Sequence, residues 1–456
     1  MDNKTKSVEI LLGDPKSAII KLSIPMMIAM LVQTLYNIVD GIWVAGLGKD
    51  ELAAIGLFFP IFMIMLALAA GIGVGGSSTI SRKIGEQNKE LANSSASYTL
   101  IIGLFIGIVM TTAFYPFAKQ IFLLLGATGN VVKIAASYSR ILFGGSIILV
   151  FSNVSNGILR GEGDTKRVMY AMVIGTLLNI VLDPIFIYTF KLGVLGAAWA
   201  TLISITVTAL MIFYWLFIKK DSYVTIKLFG FKKVPTLIKE ILRVGIPSSF
   251  IQFSMALTMF ILNWIIIKVA GTDGVAIFTS AWRITMFGIV PLLGIAMGMT
   301  AVTGAAFGAK EVKKLNTAYI YGIKMGIVIE LFVVTIILIF APQLAYLFTY
   351  SKGASNLAPE LITALKWMAL FLFTTPLGMS TSAMFQGIGK GERALLVTLF
   401  RTIIFQLIFA YLFGITLKLG LKGIWGGIGL GNTLAAVLAF IWGKFTIKKL
   451  EKQFNN

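Results

Sequence analysis

The chain has 456 residues, of which 57% are apolar and only 13% charged, and its mean hydropathy is +0.91. An ordinary soluble domain carries roughly 25% charged residues, so this composition excludes a soluble enzyme, a disordered chain and a fibrous protein, and leaves a polytopic helical membrane protein. With no cysteine and no histidine, thiolate and Cys-based metal chemistry is ruled out and proton chemistry falls to carboxylates. The net charge of +20 raises the question of an anionic partner, which the placement of the charges answers.

The first stretch, MDNKTKSVEILLGDPKSAIIKLSIPM, is polar for about 16 residues, with no compact apolar run before a small-residue cleavage site, so no signal peptide is expected. Twelve apolar stretches follow, each long enough to cross a bilayer, which takes about 20 residues. They lie at 18–44, 52–76, 95–117, 132–156, 168–190, 194–218, 240–267, 274–303, 318–341, 361–385, 394–416 and 423–446. The runs are continuous rather than alternating, which selects helices over barrel strands. The expected fold is an all-α polytopic membrane protein of two pseudo-symmetric six-helix bundles.

Twelve spans put both termini on one side. Loops and tails on that side carry 26 Lys and Arg, whereas the opposite loops carry seven: Lys49, Lys119, Lys191, Lys268, Lys352, Lys418 and Lys422. The positive-inside rule places both termini in the cytoplasm. The basic excess is therefore mostly topology, and no nucleic-acid partner is expected.

The longest hydrophilic stretch, 219–239, reads as a cytoplasmic linker between an N-terminal bundle (1–218) and a C-terminal one (240–456). The halves resemble each other. LSIPM (22–26) matches VGIPS (244–248), ILRGEGDTKR (158–167) matches MFQGIGKGER (384–393), and LGVLGAAWA (192–200) matches LGLKGIWGG (419–427), with Trp215 opposite Trp442. The offset stays between 222 and 227 residues. Six spans per half make the repeat parallel, a common plan for secondary transporters. The G-x-G pieces fall on cytoplasmic loops with no preceding strand, so they read as turns rather than dinucleotide sites.

Three acids lie well inside apolar runs: Asp40, Asp183 and Glu330. An Asp at a helix centre in the bilayer costs roughly 3 kcal/mol, so such a residue is a functional candidate by default. In TLYNIVDG (34–41), Tyr36 and Asn37 precede Asp40 by four and three residues and share its helical face. In LNIVLDP (178–184), Asn179 precedes Asp183 by four, and Pro184 weakens the helix after it. Span 4 adds Asn153 and Asn156, and span 6 adds Thr201. The second half has no acid at the positions matching Asp40 and Asp183. Two carboxyls sharing a low-dielectric site resist ionising together. The pair offers two options: it carries a proton or, with Asn, Thr and carbonyl oxygens, binds Na⁺.

Glu330 is six residues from Lys324, on a different helical face. Arg140, Arg283 and Arg401 lie near or in spans; Arg283, beside Trp282, reads as a structural contact. Pro25 and Pro247 occupy matching places in spans 1 and 7, where each is expected to bend its helix. Pro25 is a candidate gating kink. Met26, Met27 and Met30, with Gln33, lie on span 1, and flexible thioethers suit a promiscuous apolar cavity.

Together these stretches resemble the multidrug and toxic compound extrusion (MATE) family, most closely its archaeal and bacterial DinF-like branch. The resemblance runs end to end and rests on SIPMMIAMLVQTLYNIVDGIWVAGLG (23–48), SNVSNGILRGEGDTKR (152–167), LLNIVLDPIFIY (177–188) and TSAWRITM (279–286). It implies an exporter driven by cation antiport, alternating between faces by rocking of the two halves. It also implies a cation site at Asp40, Asn179, Asp183 and Thr201, with Tyr36, Tyr138, Asn153 and Asn156 as neighbours. Some branches place an essential acid on span 7 or 8; this chain has none well inside those spans, which favours coupling in the N-terminal half. The coupling ion, H⁺ or Na⁺ or both, stays open.

The expectation is a monomeric, multi-pass plasma-membrane antiporter that expels amphipathic, often cationic, organic compounds. It needs no cofactor, and its surroundings are membrane lipid. A flippase for a lipid-linked precursor is the alternative; it would be expected to have a basic cavity, where this sequence centres acids in one half. A channel fits less well with proline-bearing spans and a one-sided acid cluster. An enzyme has no Ser/His, Cys/His or P-loop arrangement to support it.

Overall fold

The computed structural model describes residues 4–350 and 355–455; Lys352, counted above among the opposite loops, lies outside them. Among the described residues the regular structure is helical. In the first half the helices are α1 (Lys6–Leu12), α2 (Pro15–Ala45), α3 (Lys49–Gly85), α4 (Lys89–Phe114), α5 (Ala118–Leu124), α6 (Gly129–Gly144), α7 (Ser146–Gly161), α8 (Thr165–Pro184) and α9 (Val194–Phe213). The second half holds α10 (Thr236–Gly308), α11 (Val312–Thr349), α12 (Ala358–Leu372), α13 (Thr375–Gly387), α14 (Gly391–Leu399), α15 (Gln406–Tyr411) and α16 (Gly420–Asn455).

Nine of these are long and apolar enough to cross a membrane, some of them continued by a π-helical turn, and two bent pairs bring the number to 11. The 73-residue α10 is broken by non-helical geometry at Ala270 and Gly271. Counted as two, it completes the twelve spans expected. Two spans that the sequence reads as continuous are bent, by 49° between α6 and α7 and by 45° between α12 and α13. The first bend falls at the Gly144-Gly145 pair. The second falls before Pro376, which cannot donate a backbone hydrogen bond.

The chain forms two compact units. One comprises Met1–Leu12 and Ile28–Ser249, the other Gly13–Met27 and Phe250–Asn456. The units depart from the halves at 218 and 240 by two exchanged segments, and glycines explain both. In the first unit a Cβ on Gly71 of α3 would lie 2.6 Å from the carbonyl oxygen of Gly245, and one on Gly75 would collide with the backbone of Ile241 and Gly245. In the second, a Cβ on Gly294 would lie 2.6 Å from the Met27 amide, and one on Gly298 3.1 Å from that of Ser23. Small residues four apart let membrane helices approach to backbone contact, and each pair seats the leading segment of a span.

The stretch after α9 belongs to the first unit and is strapped to it. Its amides at Val224, Thr225, Lys227 and Val234 donate to Glu162 Oε2 (3.0 Å), Asn93 Oδ1 (2.8 Å), Ser97 Oγ (3.0 Å) and the Tyr98 hydroxyl (3.1 Å). Phe231 packs edge-on against Tyr98 at 4.9 Å. What the sequence reads as a linker is thus a docked strap.

The repeat is visible in backbone geometry. Lys191 and Gly193 have φ of 56° and 57°; Lys418 and Gly420, their counterparts, have 54° and 66°. A Cβ on Gly196 would meet the carbonyl oxygen of Phe186 at 2.6 Å, and one on Gly423 that of Phe413, also at 2.6 Å. The L-G-x-x-G motif therefore codes a left-handed turn followed by a helix pressed onto the preceding strand of backbone.

Candidate functional site

The first unit gathers its polar residues around Asp183. This carboxyl is fully buried near the end of α8, where the helix passes into a π-helical turn, Ile185–Thr189. Asn179, one turn earlier and 4% exposed, donates from Nδ2 to Asp183 Oδ1 at 3.2 Å. The second oxygen, Oδ2, is buried and receives no hydrogen bond from an amide or hydroxyl among the described residues. Asp40 of α2 is half-buried and acts directly on Asp183. Tyr36, one turn before Asp40, bonds Thr201 of α9, and Tyr138 of α6 stands within electrostatic reach of both carboxyls. Tyr138 is held by Phe58, edge-on at 5.3 Å. Beyond Asp40, the Tyr188 hydroxyl donates to the Trp43 carbonyl at 2.6 Å and ties the ends of spans 1 and 5 together.

Four helices thus bring Asp40, Asn179, Asp183, Thr201, Tyr36 and Tyr138 to one place. Other expected members stand apart. Asn37 and Gln33 are exposed on α2. Asn153 donates to Leu149 in its own helix at 3.0 Å. Asn156 is 7% exposed, and its Oδ1 is buried without a partner. Met26 is fully buried, and with Pro25 it belongs to the second unit. Pro25 lies inside the continuous helix α2.

Glu330 does not pair with Lys324. It is fully buried, both its oxygens lack partners, and Lys324 is exposed. The second unit also holds buried amides that the sequence reading passes over. Asn432, 3% exposed, donates to the Phe371 carbonyl at 3.4 Å and to Thr375 Oγ1 at 3.1 Å; Gln406 is 6% exposed. Their signal was an amide isolated in an apolar span, and it is weaker than that of a charge.

A fully buried carboxyl and a half-buried one, among an amide and hydroxyls, form a candidate site for a small cation. The donors are hard oxygens, suited to a proton or Na⁺ rather than to a soft metal. A twelve-span helical fold with a buried acidic cluster in one repeat defines a polytopic membrane transporter. The comparisons name its family. The MatE family model matches residues 25–185 and 247–412, so the chain belongs to the MATE family of transporters. The multidrug export protein MepA of Staphylococcus aureus (strain MRSA252) is 26% identical over 428 residues, covering 93% of this chain and 92% of MepA. Among solved structures, the outward-facing conformation of a multidrug resistance MATE family transporter of the MOP superfamily is 56% identical, with a TM-score of 0.96 over 99% of this chain and 100% of that one. A MATE crystallised in complex with MaL6 is likewise 56% identical, with a TM-score of 0.96 over 98% of this chain and 100% of that one.

Proposed function

We propose that this transporter is a plasma-membrane antiporter that exports amphipathic organic compounds in exchange for H⁺ or Na⁺. The observation that carries the coupling is the carboxyl pair Asp40–Asp183, with Asp183 fully buried and one of its oxygens given no hydrogen bond by an amide or hydroxyl among the described residues. A buried carboxylate oxygen without such a donor is costly, and a proton or a bound cation relieves that cost. A cation arriving from outside neutralises the pair and relaxes the Tyr36–Thr201 contact one turn along α2. Pro25, further down the same helix, cannot donate to the carbonyl four residues back, which makes it the easiest place for span 1 to bend. Coupling requires differential affinity: cation and substrate must favour opposite faces of the transporter as the two units rock.

The names of MepA and of the multidrug resistance relative support organic compounds as the cargo. No cofactor enters this cycle, the monomer suffices, and both termini lie in the cytoplasm by the charge of the loops.

The test uses protein in liposomes with a fluorescent cationic dye, a pH gradient and a Na⁺ gradient imposed separately. Wild type is compared with Asp40→Asn and Asp183→Asn. Dye movement driven by one gradient and lost in both variants supports antiport and names the ion. Movement that ignores both gradients, or survives both substitutions, makes the acids structural and favours the flippase.

A further inference from the structure

The second unit carries a buried charge of the opposite sign. Arg401 is the eleventh residue of the span Gly391–Thr416. At about 1.5 Å per residue it lies roughly 15 Å along, near the middle of a hydrocarbon layer about 30 Å thick. It sits on a π-helical turn, Phe400–Phe405, a geometry found often at functional sites. The residue is 8% exposed. Among the described residues its guanidinium has no hydrogen bond and no ion pair, and no carboxylate acts on it. Arginine cannot shed its proton, so the charge at this depth calls for a partner, and the described residues supply none.

The surroundings are built around it. Gly378 of α13 leaves room for its stem: a Cβ there would lie 3.2 Å from Arg401 Cδ and 3.7 Å from Ala436 of α16. One turn along both of those helices, Asn432 bonds Thr375. Gly431, next to Asn432, lets α16 press onto Phe405 and Gln406, with a Cβ position 2.6 Å from the Phe405 carbonyl. Gln406 also has no hydrogen-bond partner among the described residues. It follows Arg401 by five, the spacing that i→i+5 bonding brings to neighbouring positions. An unpaired guanidinium and an unpaired amide thus share one layer.

The repeat sharpens the contrast. The π-helical turns Ile185–Thr189 and Leu412–Thr416 are offset by 227 residues. At that offset Gln406 takes the place of Asn179 and Ala410 that of Asp183. The second unit keeps the amide, loses the carboxyl and gains a guanidinium.

We propose that the second unit holds an anion-binding site centred on Arg401, with Gln406 as a second donor, for the carboxylate, sulfonate or phosphate group of an amphipathic molecule. Guanidinium presents a planar fork that matches such groups in two-point contact. The site goes beyond the export reading and concerns binding alone, so it stands or falls separately from cation coupling at Asp40 and Asp183.

The experiment uses full-length protein in phosphatidylcholine nanodiscs and two probes with one fluorophore, dansyl-taurine (a sulfonate) and dansylcadaverine (an ammonium). Wild type should bind both. Arg401→Gln and Arg401→Met should weaken the sulfonate by about tenfold or more while leaving the ammonium unchanged, which also shows that the variant is folded. Of the two substitutions, the one that keeps ammonium binding decides. Adding phosphatidylglycerol distinguishes the sources of anion: if it weakens sulfonate binding only when Arg401 is present, a lipid phosphate competes for the site, and if it does not, the anion is a solute. Equal sulfonate affinity in wild type and a folded Arg401 variant overturns the inference. So does wild type that binds the ammonium and not the sulfonate.

Discussion

The strap after α9 should loosen as pH rises, and Glu162 is the reason. Its carboxyl sits just beyond α7, 1% exposed, and accepts from the Val224 amide at 3.0 Å. Burial pushes this carboxyl up from 4.5 to about 8, against the smaller opposing effect of the Val224 and Tyr223 amides. When the strap lifts, water reaches the group and its pKa returns towards the ordinary value. A carboxyl whose pKa is higher in the docked state contributes full stability below the undocked value, near 4.5. It loses that contribution as pH climbs through the docked value, near 8. At 1.36 kcal/mol for each pH unit, docking weakens by roughly 3 kcal/mol between pH 5 and pH 8, a change of about two orders of magnitude in the open population. Tryptic cleavage after Lys227, Lys232 and Lys233 reads that population. The rate is taken as a ratio, wild type over Glu162→Gln, at each pH, which cancels the protease's own pH dependence. Gln keeps an oxygen for Val224 and cannot ionise. The ratio should climb steeply across this range. A flat ratio would refute the reasoning, because the strap would then be held without regard to the state of Glu162.

Two further outcomes follow from packing. Gly294→Ala places a methyl 2.6 Å from the Met27 amide and its Cγ; overpacking against backbone should cost about 1–3 kcal/mol. That loss is read as a lower thermal midpoint in detergent, and an unchanged midpoint would mean that the leading segment shifts freely. Glu330→Met removes a fully buried carboxyl whose two oxygens have no partner, so stability should hold or rise. A fall of more than about 1 kcal/mol would expose a partner that the carboxyl finds in the membrane.

The sequence made the spans, the repeat and the acidic residues legible, because each leaves a mark that needs no tertiary knowledge. An apolar run of span length, a shared glycine spacing and a charge in an apolar stretch are all local. Asp40 and Asp183 declared themselves in this way, and Tyr36, Asn179 and Thr201 do lie beside them. What stayed hidden depends on contacts across the chain. That Met26 is fully buried depends on Gly294 and Gly298, some 270 residues away, which seat α2's leading segment. Asn37 shares a nominal face with Asp40 but is exposed where Asp40 is half-buried, because a helix face spans more than one environment. The strap reads as a linker because its amides find acceptors, Glu162, Asn93, Ser97 and Tyr98, that no local pattern connects to it.

The two repeats keep their glycines and diverge in their charges, and the difference has a physical basis. A Cβ on Gly196 or on Gly423 would meet a carbonyl oxygen of the preceding segment at the same distance, 2.6 Å. Any side chain at either position forces the helices apart, whatever chemistry the unit performs. Glycine is therefore required by backbone geometry, which both units share. A buried polar group answers to a different constraint, a partner for its charge or hydrogen bonds. Asp183 has Asn179 and Asp40; Gln406 and Arg401, in the corresponding span, have no partner among the described residues. Once the backbone frame is fixed by small residues, the buried polar positions within each unit are free to take opposite charge. One scaffold can then present a cation site in one unit and an anion site in the other.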